Sequence, residues 1–276
     1  MKAITLLFAV QPLLLGPLLA AGYSTNFDSI SGGATLSDAD GWVTNDPYDE
    51  IGDFGQTDYV GVISGYSTTT SDHWALLGGA TGFSPGQPTV FLSHDVDLSG
   101  GSSASFTVGM GITSSASPRT NQDSFGWTFR NSSSATLFSL IFDPTPAVTG
   151  DMNIRMYDGS GTELLAGGSG GFDIFYNAIY SLDLVVDASG AVTVNFTDAN
   201  NITTEVITAA ATGINPGDIG NVAATWILAD GTTPGTEQPE YGSNSLLFDN
   251  FSVVPEPSVA LLGLVGAAAF LRRRRA

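Results

Sequence analysis

The chain of 276 residues has no cysteine and very few basic residues. The absence of cysteine excludes disulfides, thiolate metal sites and cysteine nucleophiles. Lysine occurs once, at Lys2, and four of the seven arginines lie at the C-terminus. Between the two ends, 26 acidic residues face only Arg119, Arg130 and Arg155, which gives a net charge near −23. Nucleic-acid binding needs Lys and Arg to neutralise phosphates, so that class of partner is excluded.

Helical periodicity is also nearly absent, and the chain shows short β-branched and aromatic runs separated by Gly, Ser, Asn, Asp and Pro. The clearest runs are 178–187 and 191–197, which alternate in polarity and are joined by Asp187-Ala188-Ser189-Gly190. This pattern predicts an antiparallel hairpin with one buried face. About a dozen such runs predict an all-β fold, an antiparallel two-sheet jelly-roll sandwich, in which 23–30 pairs with 246–253.

The N-terminal segment 1–21 has the pattern of a secretory signal peptide. Lys2 supplies a positive start, an apolar run follows from Ile4 to Leu19, and Ala20 and Ala21 are small residues suited to cleavage. We therefore expect export through the Sec machinery, with signal peptidase as a processing partner. The predicted signal helix is excluded from the fold.

The C-terminal segment 254–276 combines three elements in a fixed order. They are the motif Val254, Pro255, Glu256, Pro257 and Ser258, the apolar run 259–271, and the basic cluster Arg272, Arg273, Arg274 and Arg275. Thirteen apolar residues are few for a membrane helix, which needs about 20, and the prolines and the carboxylate favour the interface. The positive-inside rule keeps the arginines in the cytoplasm.

This tail resembles the PEP-CTERM sorting domain, although an ordinary tail anchor stays an alternative. The resemblance implies a bacterial protein processed by an exosortase-type membrane protease. It also implies transient anchoring in the inner membrane by a short transmembrane helix, followed by release to the cell surface or extracellular matrix. The expected division is signal peptide 1–21, ectodomain 22–253 and sorting tail 254–276.

The ectodomain resembles concanavalin A-like, or laminin-G-like, jelly rolls in the segments 125–130, 180–196 and 247–253. Jelly-roll β-glucanases place Glu, Asp and Glu at alternating positions of one strand for acid and nucleophile roles. This chain has no such arrangement, and Glu50-Ile51-Gly52-Asp53 only begins like one. We therefore expect a non-catalytic structural or adhesive domain near exopolysaccharide. The alternatives are a polysaccharide-active hydrolase with an unrecognised carboxylate pair, or a domain that acts by bulk and charge.

Calcium is the expected ligand of the acidic loops, since Ca²⁺ prefers six to eight oxygen ligands. Asp158, Ser160 and Glu163 place oxygen donors at positions 1, 3 and 6 of a glycine-containing loop. The same residues also suit an ordinary solvated turn, because Asp and Gly favour turns for backbone reasons.

Carbohydrate binding is the expected activity of two tryptophans, Trp42 and Trp74, because both neighbour polar loops and can offer an aromatic platform. Trp127 and Trp226 lie within strand patterns and are expected in the core. His94 lies in a predicted strand whose alternation exposes it.

Overall fold

The computed structural model describes eleven segments of the chain. They are residues 22–29, 40–45, 59–61, 74–78, 89–113, 123–144, 151–165, 174–175, 177–211, 213–227 and 245–256. The predicted signal segment and the predicted transmembrane run 259–271 lie outside them. Within these segments the structure has no helix that is both long enough and apolar enough to span a bilayer.

The described residues form two antiparallel sheets, as predicted. The strands are β1 Tyr23–Thr25, β2 Val43–Thr44, β3 Tyr59–Gly61, β4 Trp74–Gly78, β5 Thr89–Asp95, β6 Ser103–Thr113, β7 Ser124–Arg130, β8 Thr136–Pro144, β9 Asp151–Asp158, β10 Glu163–Leu165, β11 Ile174–Phe175, β12 Ile179–Val186, β13 Ala191–Thr197, β14 Thr203–Ala211, β15 Asn221–Ile227 and β16 Ser245–Glu256. The first sheet has the order β14-β13-β12-β6-β16-β4-β3, with β1 on β16. The second has the order β10-β9-β8-β7-β15-β5-β2, with β11 on β9.

The predicted hairpin is confirmed as β12 and β13, with Val186 paired to Val192 across the turn. Both strands alternate between buried and half-buried residues, as expected for a sheet with one face in the core. The turn depends on Gly190, whose φ of 79° lies in the left-handed region that favours glycine. The predicted pairing of the first and last strands is also confirmed, since Tyr23 pairs with Val253.

The core lies between the two sheets and is rich in aromatic residues. Trp127 and Trp226 are 0% and 1% exposed, as predicted. Phe106 of the first sheet packs 5.0 Å from Trp127 of the second, measured between ring centroids. Each fully buried side chain of this size contributes roughly 1.5–3 kcal/mol or more to folding, so these contacts hold the sheets together.

Strand β16 departs from simple alternation near its centre. The register shifts between Asp249 and Ser252, and Asn250 takes a positive φ of 51°. This bulge returns Phe251 to the core three residues after Phe248, and both are 0% exposed. The strand then continues past the predicted end of the ectodomain, pairing Glu256 with Ser103 of β6.

Candidate functional site

Several polar side chains come together on the outer face of the second sheet. Alternation along β15 sends Val222, Ala224 and Trp226 into the core, so Asn221, Ala223 and Thr225 face outward. Register then extends this face across neighbouring strands. We call it the Arg130 face, and it comprises Arg130, Asn221, Asp95, Phe91, Ala223, Thr128, Thr225, Ser139, Arg155 and Tyr157.

Arg130 ends β7 and pairs in register with Asn221. Its guanidinium carbon lies 3.7 Å from the ring centroid of Phe91, which belongs to β5 on the far side of β15. The side chain therefore crosses β15 near Ala223, which is 0% exposed. A small residue there leaves room for the crossing.

The charge of Arg130 has no carboxylate partner among the described residues. Its Nε is buried without a hydrogen bond, and burial lowers the pKa of the guanidinium from its ordinary value. Removing a cation from water is unfavourable unless an anion compensates it. In a chain with 27 acidic residues, an unpaired and half-buried arginine is a candidate anion site.

A short chain of hydroxyl groups lies beside Arg130 on the same face. The Thr128 hydroxyl is 2.7 Å from that of Thr225 and 3.0 Å from that of Ser139. Thr128 and Thr225 are 3% and 2% exposed, although neither belongs to the core cluster. These hydroxyls satisfy one another, which fixes the floor of the face.

Asn221 completes this end of the face. Its Nδ2 donates to Asp95 Oδ1 at 2.9 Å, while its Oδ1 is buried and has no hydrogen-bond partner. The side chain is only 7% exposed. A buried amide oxygen without a donor is uncommon in folded proteins and marks a place where a ligand or water would be stabilised.

Arg155 lies at the other end of the Arg130 face, in a different environment. Its Nε is 3.0 Å from Asp143 Oδ2, and one of its terminal nitrogens is 3.6 Å from Glu163 Oε1. The two described arginines therefore differ: Arg155 is neutralised by the protein, and Arg130 is not.

The predicted sugar residue Trp42 lies in the core at 1% exposure. It packs 5.1 Å from Phe251 and 5.6 Å from Phe248, and its Nε1 donates to the Tyr23 hydroxyl at 3.0 Å. This placement leaves no ring face open to a sugar. The polar neighbours that suggested a surface position belong to the turn at Asp40 and Gly41, immediately before Trp42 in the chain.

Trp74 lies outside the core, on the outer face of the first sheet. Its ring reaches toward Gly109, across Asp249 of the intervening strand β16. Trp74 is 6% exposed, and its Nε1 has no hydrogen-bond partner. The structure thus places the two predicted sugar residues, Trp42 and Trp74, in different environments and does not bring them together.

The residues predicted for calcium form a hairpin turn. Asp158 Oδ1 accepts from Ser160 N, Ser160 Oγ and Thr162 N at 2.6–2.8 Å. Glu163 lies instead in the ion pair with Arg155. In the described segments no group of three or more His, Cys, Asp or Glu residues is placed to hold a metal. Calcium at this loop stays a prediction.

His94 was expected to be exposed, but it packs at the end of the sandwich. Its ring stacks on Tyr23 with centroids 3.6 Å apart, and its Nε2 lies 3.0 Å from the Asp40 carbonyl oxygen. The Tyr23 hydroxyl donates to Asp40 Oδ2, and burial together with this bond raises the pKa of Tyr23. This cluster ties β1 and the turn at Asp40 to β5.

The predicted sorting motif is only partly within the described residues. Val254, Pro255 and Glu256 form the end of β16, and Glu256 Oε2 accepts from Ser103 Oγ at 3.1 Å. Pro257, Ser258 and the basic cluster 272–275 lie outside the described residues.

Comparison with known proteins shows the fold but no family. No protein-family description matches the sequence, and no curated protein is similar to it in sequence. The structure resembles an alginate lyase from Klebsiella pneumoniae, with a TM-score of 0.52 and 10% identity over 80% of this chain and 99% of that one. It also resembles the cellulose-induced protein Cip1, with a TM-score of 0.51 and 11% identity over 85% and 98%. A carbohydrate esterase from the Shiga toxin-encoding bacteriophage phi24B has a TM-score of 0.49 and 12% identity over 86% and 100%.

These matches correct the expectation of a non-catalytic domain. That expectation rested on the missing glucanase motif, yet the same sandwich is found in an alginate lyase. At 10% identity the likeness establishes the fold alone, and a fold can carry several chemistries. The absence of one motif is therefore no ground for calling the domain non-catalytic.

Sequence reasoning missed Arg130, Asn221 and Asp95 as a group. They come from β7, β15 and β5, and only strand register brings them together. One signal was present in the sequence, namely that Arg130 is one of three basic residues between the predicted signal segment and the predicted tail.

Proposed function

We propose that this chain is an exported polysaccharide-active protein that binds and cleaves an acidic polysaccharide on the Arg130 face. The observation that carries the proposal is the half-buried Arg130 guanidinium, which has no carboxylate partner among the described residues. A sugar carboxylate would supply the missing partner. The half-buried Phe91 ring beside Arg130 is an aromatic group of the kind that sugar sites use.

Arg130 also suits one type of cleavage chemistry. Neutralising a uronate carboxylate makes the hydrogen on the adjacent carbon more acidic. A base can then remove that proton while the glycosidic oxygen leaves, so the products carry a carbon–carbon double bond. Preorganised positive charge stabilises the developing negative charge of such a transition state. The lyase with the same fold is consistent with this chemistry.

The negative charge of the rest of the protein limits where an acidic polysaccharide can bind. The chain has a net charge of −19, so most of its surface repels a polyanion. Screening limits that repulsion to about 8 Å at physiological salt, and a local cation can act within this distance. An acidic polysaccharide is therefore expected to dock where Arg130 lies and to avoid other surfaces.

The test is a degradation assay on uronate polysaccharides and on the same polymers after their carboxyl groups have been reduced. Wild-type protein is expected to release new reducing ends together with ultraviolet-absorbing unsaturated products from the acidic polymer only. Arg130→Ala is expected to lower the rate by at least about a hundredfold, as for loss of one transition-state donor.

Arg155→Ala is the matched control, because it removes the same charge from the same face where the protein already neutralises it. It is expected to keep most of the activity. Reducing ends without unsaturated products would mean hydrolysis by a carboxylate pair. Equal activity of the Arg130 and Arg155 variants, or no cleavage of any acidic polymer, would overturn the proposal.

We also propose that the chain is sorted as a PEP-CTERM protein, through signal peptidase and an exosortase-type protease. The support is the signal-like segment 1–21 and the ordered motif, apolar run and arginine cluster of 254–276. Intact mass of the protein from its native cell surface is expected to lack both the signal segment and Arg272–Arg275. Replacing Pro255, Glu256 and Pro257 with alanine should retain full-length protein in the membrane fraction. A surface protein that still carries the arginine cluster would contradict exosortase processing.

A further inference from the structure

Asn221 lies beside Arg130 in register and is held in one orientation by its neighbour. The Asp95 carboxylate can only accept hydrogen bonds, so the amide nitrogen of Asn221 must face it, as the 2.9 Å contact shows. The two polar atoms of an amide point in different directions from their shared carbon. Oδ1 is therefore turned away from Asp95, and it is buried with no donor.

The unpaired atom of Asn221 is an acceptor, and the unpaired atom of Arg130 is a donor. Arg130 offers a positive charge and a buried Nε–H, and Asn221 offers an acceptor oxygen. Neither atom bonds the other in the structure. Side chains paired across neighbouring strands start about 5 Å apart, which is close to the width of one sugar ring.

We infer that Asn221 determines specificity at the Arg130 face by accepting a hydrogen bond from a free hydroxyl of the sugar whose carboxylate contacts Arg130. This inference rests on the proposed function and adds the chemical form of the substrate. The site takes a uronate with an unmodified hydroxyl group and rejects one whose hydroxyls are acetylated. A site built to hydrogen-bond a hydroxyl discriminates strongly against an analogue that lacks it, because the buried acceptor then has no donor.

The test compares two ligands on two proteins by calorimetry. The ligands are a uronate hexasaccharide and the same oligosaccharide after O-acetylation. Wild-type protein is expected to bind the unmodified ligand at least about tenfold more tightly. Asn221→Leu keeps the branching of the side chain and has no acceptor, so it should lose most of that preference. The difference between the two proteins in their preference for the unacetylated ligand isolates the contact at Asn221.

Thermal unfolding of the ligand-free proteins shows whether each variant is folded at the temperature of the binding assay. Asn221→Leu removes the bond from Nδ2 to Asp95 Oδ1 as well as an acceptor that has no donor, so it is expected to unfold at a somewhat lower temperature and still to be folded in the assay. Asn195→Leu is the matched control, since Asn195 lies on the outer face of the first sheet. This control should change neither the acetyl preference nor the affinity.

The outcomes distinguish this inference from the proposed function. If wild-type protein binds no uronate oligosaccharide, the proposed function fails. If wild-type protein binds and Arg130→Ala does not, but Asn221→Leu keeps the full preference for the unacetylated ligand, only the role of Asn221 is overturned.

Discussion

At the scale of single residues, two arginines on one face show how strongly the neighbours of a charge decide its role. Arg155 lies between Asp143 and Glu163, so its charge is neutralised within the protein. Arg130 lies over Phe91 and has no such partner among the described residues. The same residue type is therefore paired with carboxylates in one strand and lacks such a partner in another.

Aspartates at hairpin turns have a structural role that the sequence already indicated. Asp187 Oδ1 accepts from Ser189 N, Ser189 Oγ and Ala191 N at 2.7–3.0 Å. Asp158 and Asp198 accept in the same way, each from the amides two and four residues ahead. These bonds hold the turn residues in place, and they account for the polarity of these loops.

The turn at Asp187 predicts a contribution to acid sensitivity. The Ser189 hydroxyl, followed by the Ala191 amide, lowers the pKa of the Asp187 carboxyl below its ordinary value of 3.8. The charged form therefore stabilises the fold above that value, and the contribution is lost as the pH falls through the lowered pKa. Asp187→Asn keeps an acceptor oxygen but does not titrate, so the stability advantage of the wild type should shrink between about pH 5 and about pH 2.

Chemical denaturation of wild type and Asp187→Asn at several pH values measures this difference. Glu205→Gln is a control that removes one carboxylate from a strand instead of a turn. A difference between wild type and Asp187→Asn that stays constant down to about pH 2 would show that the bonds do not depend on the charge.

Residue-scale prediction from the sequence was correct where local alternation decides burial. Trp127 and Trp226 follow the alternation of their strands and are buried as expected. Local alternation did not predict that Trp42 is buried, because its packing partners Phe248 and Phe251 lie far from it in the chain. Arg130 and Asn221 are 91 positions apart in the chain, and a single sequence does not give the register that pairs them.

At the scale of elements, β16 shows what the sequence pattern captured and what it missed. The run 245–253 predicted a strand, and the structure has one. The bulge at Asn250 was not predicted, although two phenylalanines three positions apart, at 248 and 251, do not fit strict alternation. The strand also continues through Pro255 to Glu256, because these residues pair with β6 beyond the end of the apolar pattern.

This extension predicts that the first residues of the sorting motif stabilise the sandwich. Chains that end at Val253 and at Glu256 should differ in unfolding free energy, because the shorter chain loses the pairing of Val254–Glu256 with β6 and the bond from Ser102 N to Glu256 O. Each backbone hydrogen bond contributes about 0.5–1.5 kcal/mol, so a loss of roughly 1–3 kcal/mol is expected.

Urea denaturation of the two truncated chains measures this loss, and Ser103→Ala in the longer chain is a milder variant that removes only the side-chain bond to Glu256. Equal stability of the two truncated chains would mean that the strand effectively ends at Val253. The predicted order of stability is the longer chain, then the longer chain with Ser103→Ala, then the shorter chain.

At the scale of the whole molecule, composition predicted the class of fold better than the site. Short alternating runs and turn residues were enough for an antiparallel two-sheet sandwich, because burial on one face leaves few other arrangements. The position of the candidate site depends on which strands become neighbours, and β15 joins β5 and β7 from distant parts of the chain. The expectation of a non-catalytic domain failed for a related reason, since one missing motif cannot represent all the chemistries of a sandwich.

The central claim is that the Arg130 face is the polysaccharide site. The most direct test is a crystal structure of the protein with a bound uronate oligosaccharide. We predict a sugar carboxylate within hydrogen-bonding distance of the Arg130 guanidinium and a sugar ring against β15, beside Asn221 and the Phe91 ring. An oligosaccharide bound on the outer face of the first sheet, near Trp74 and Asp249, with Arg130 still unpaired, would contradict the account.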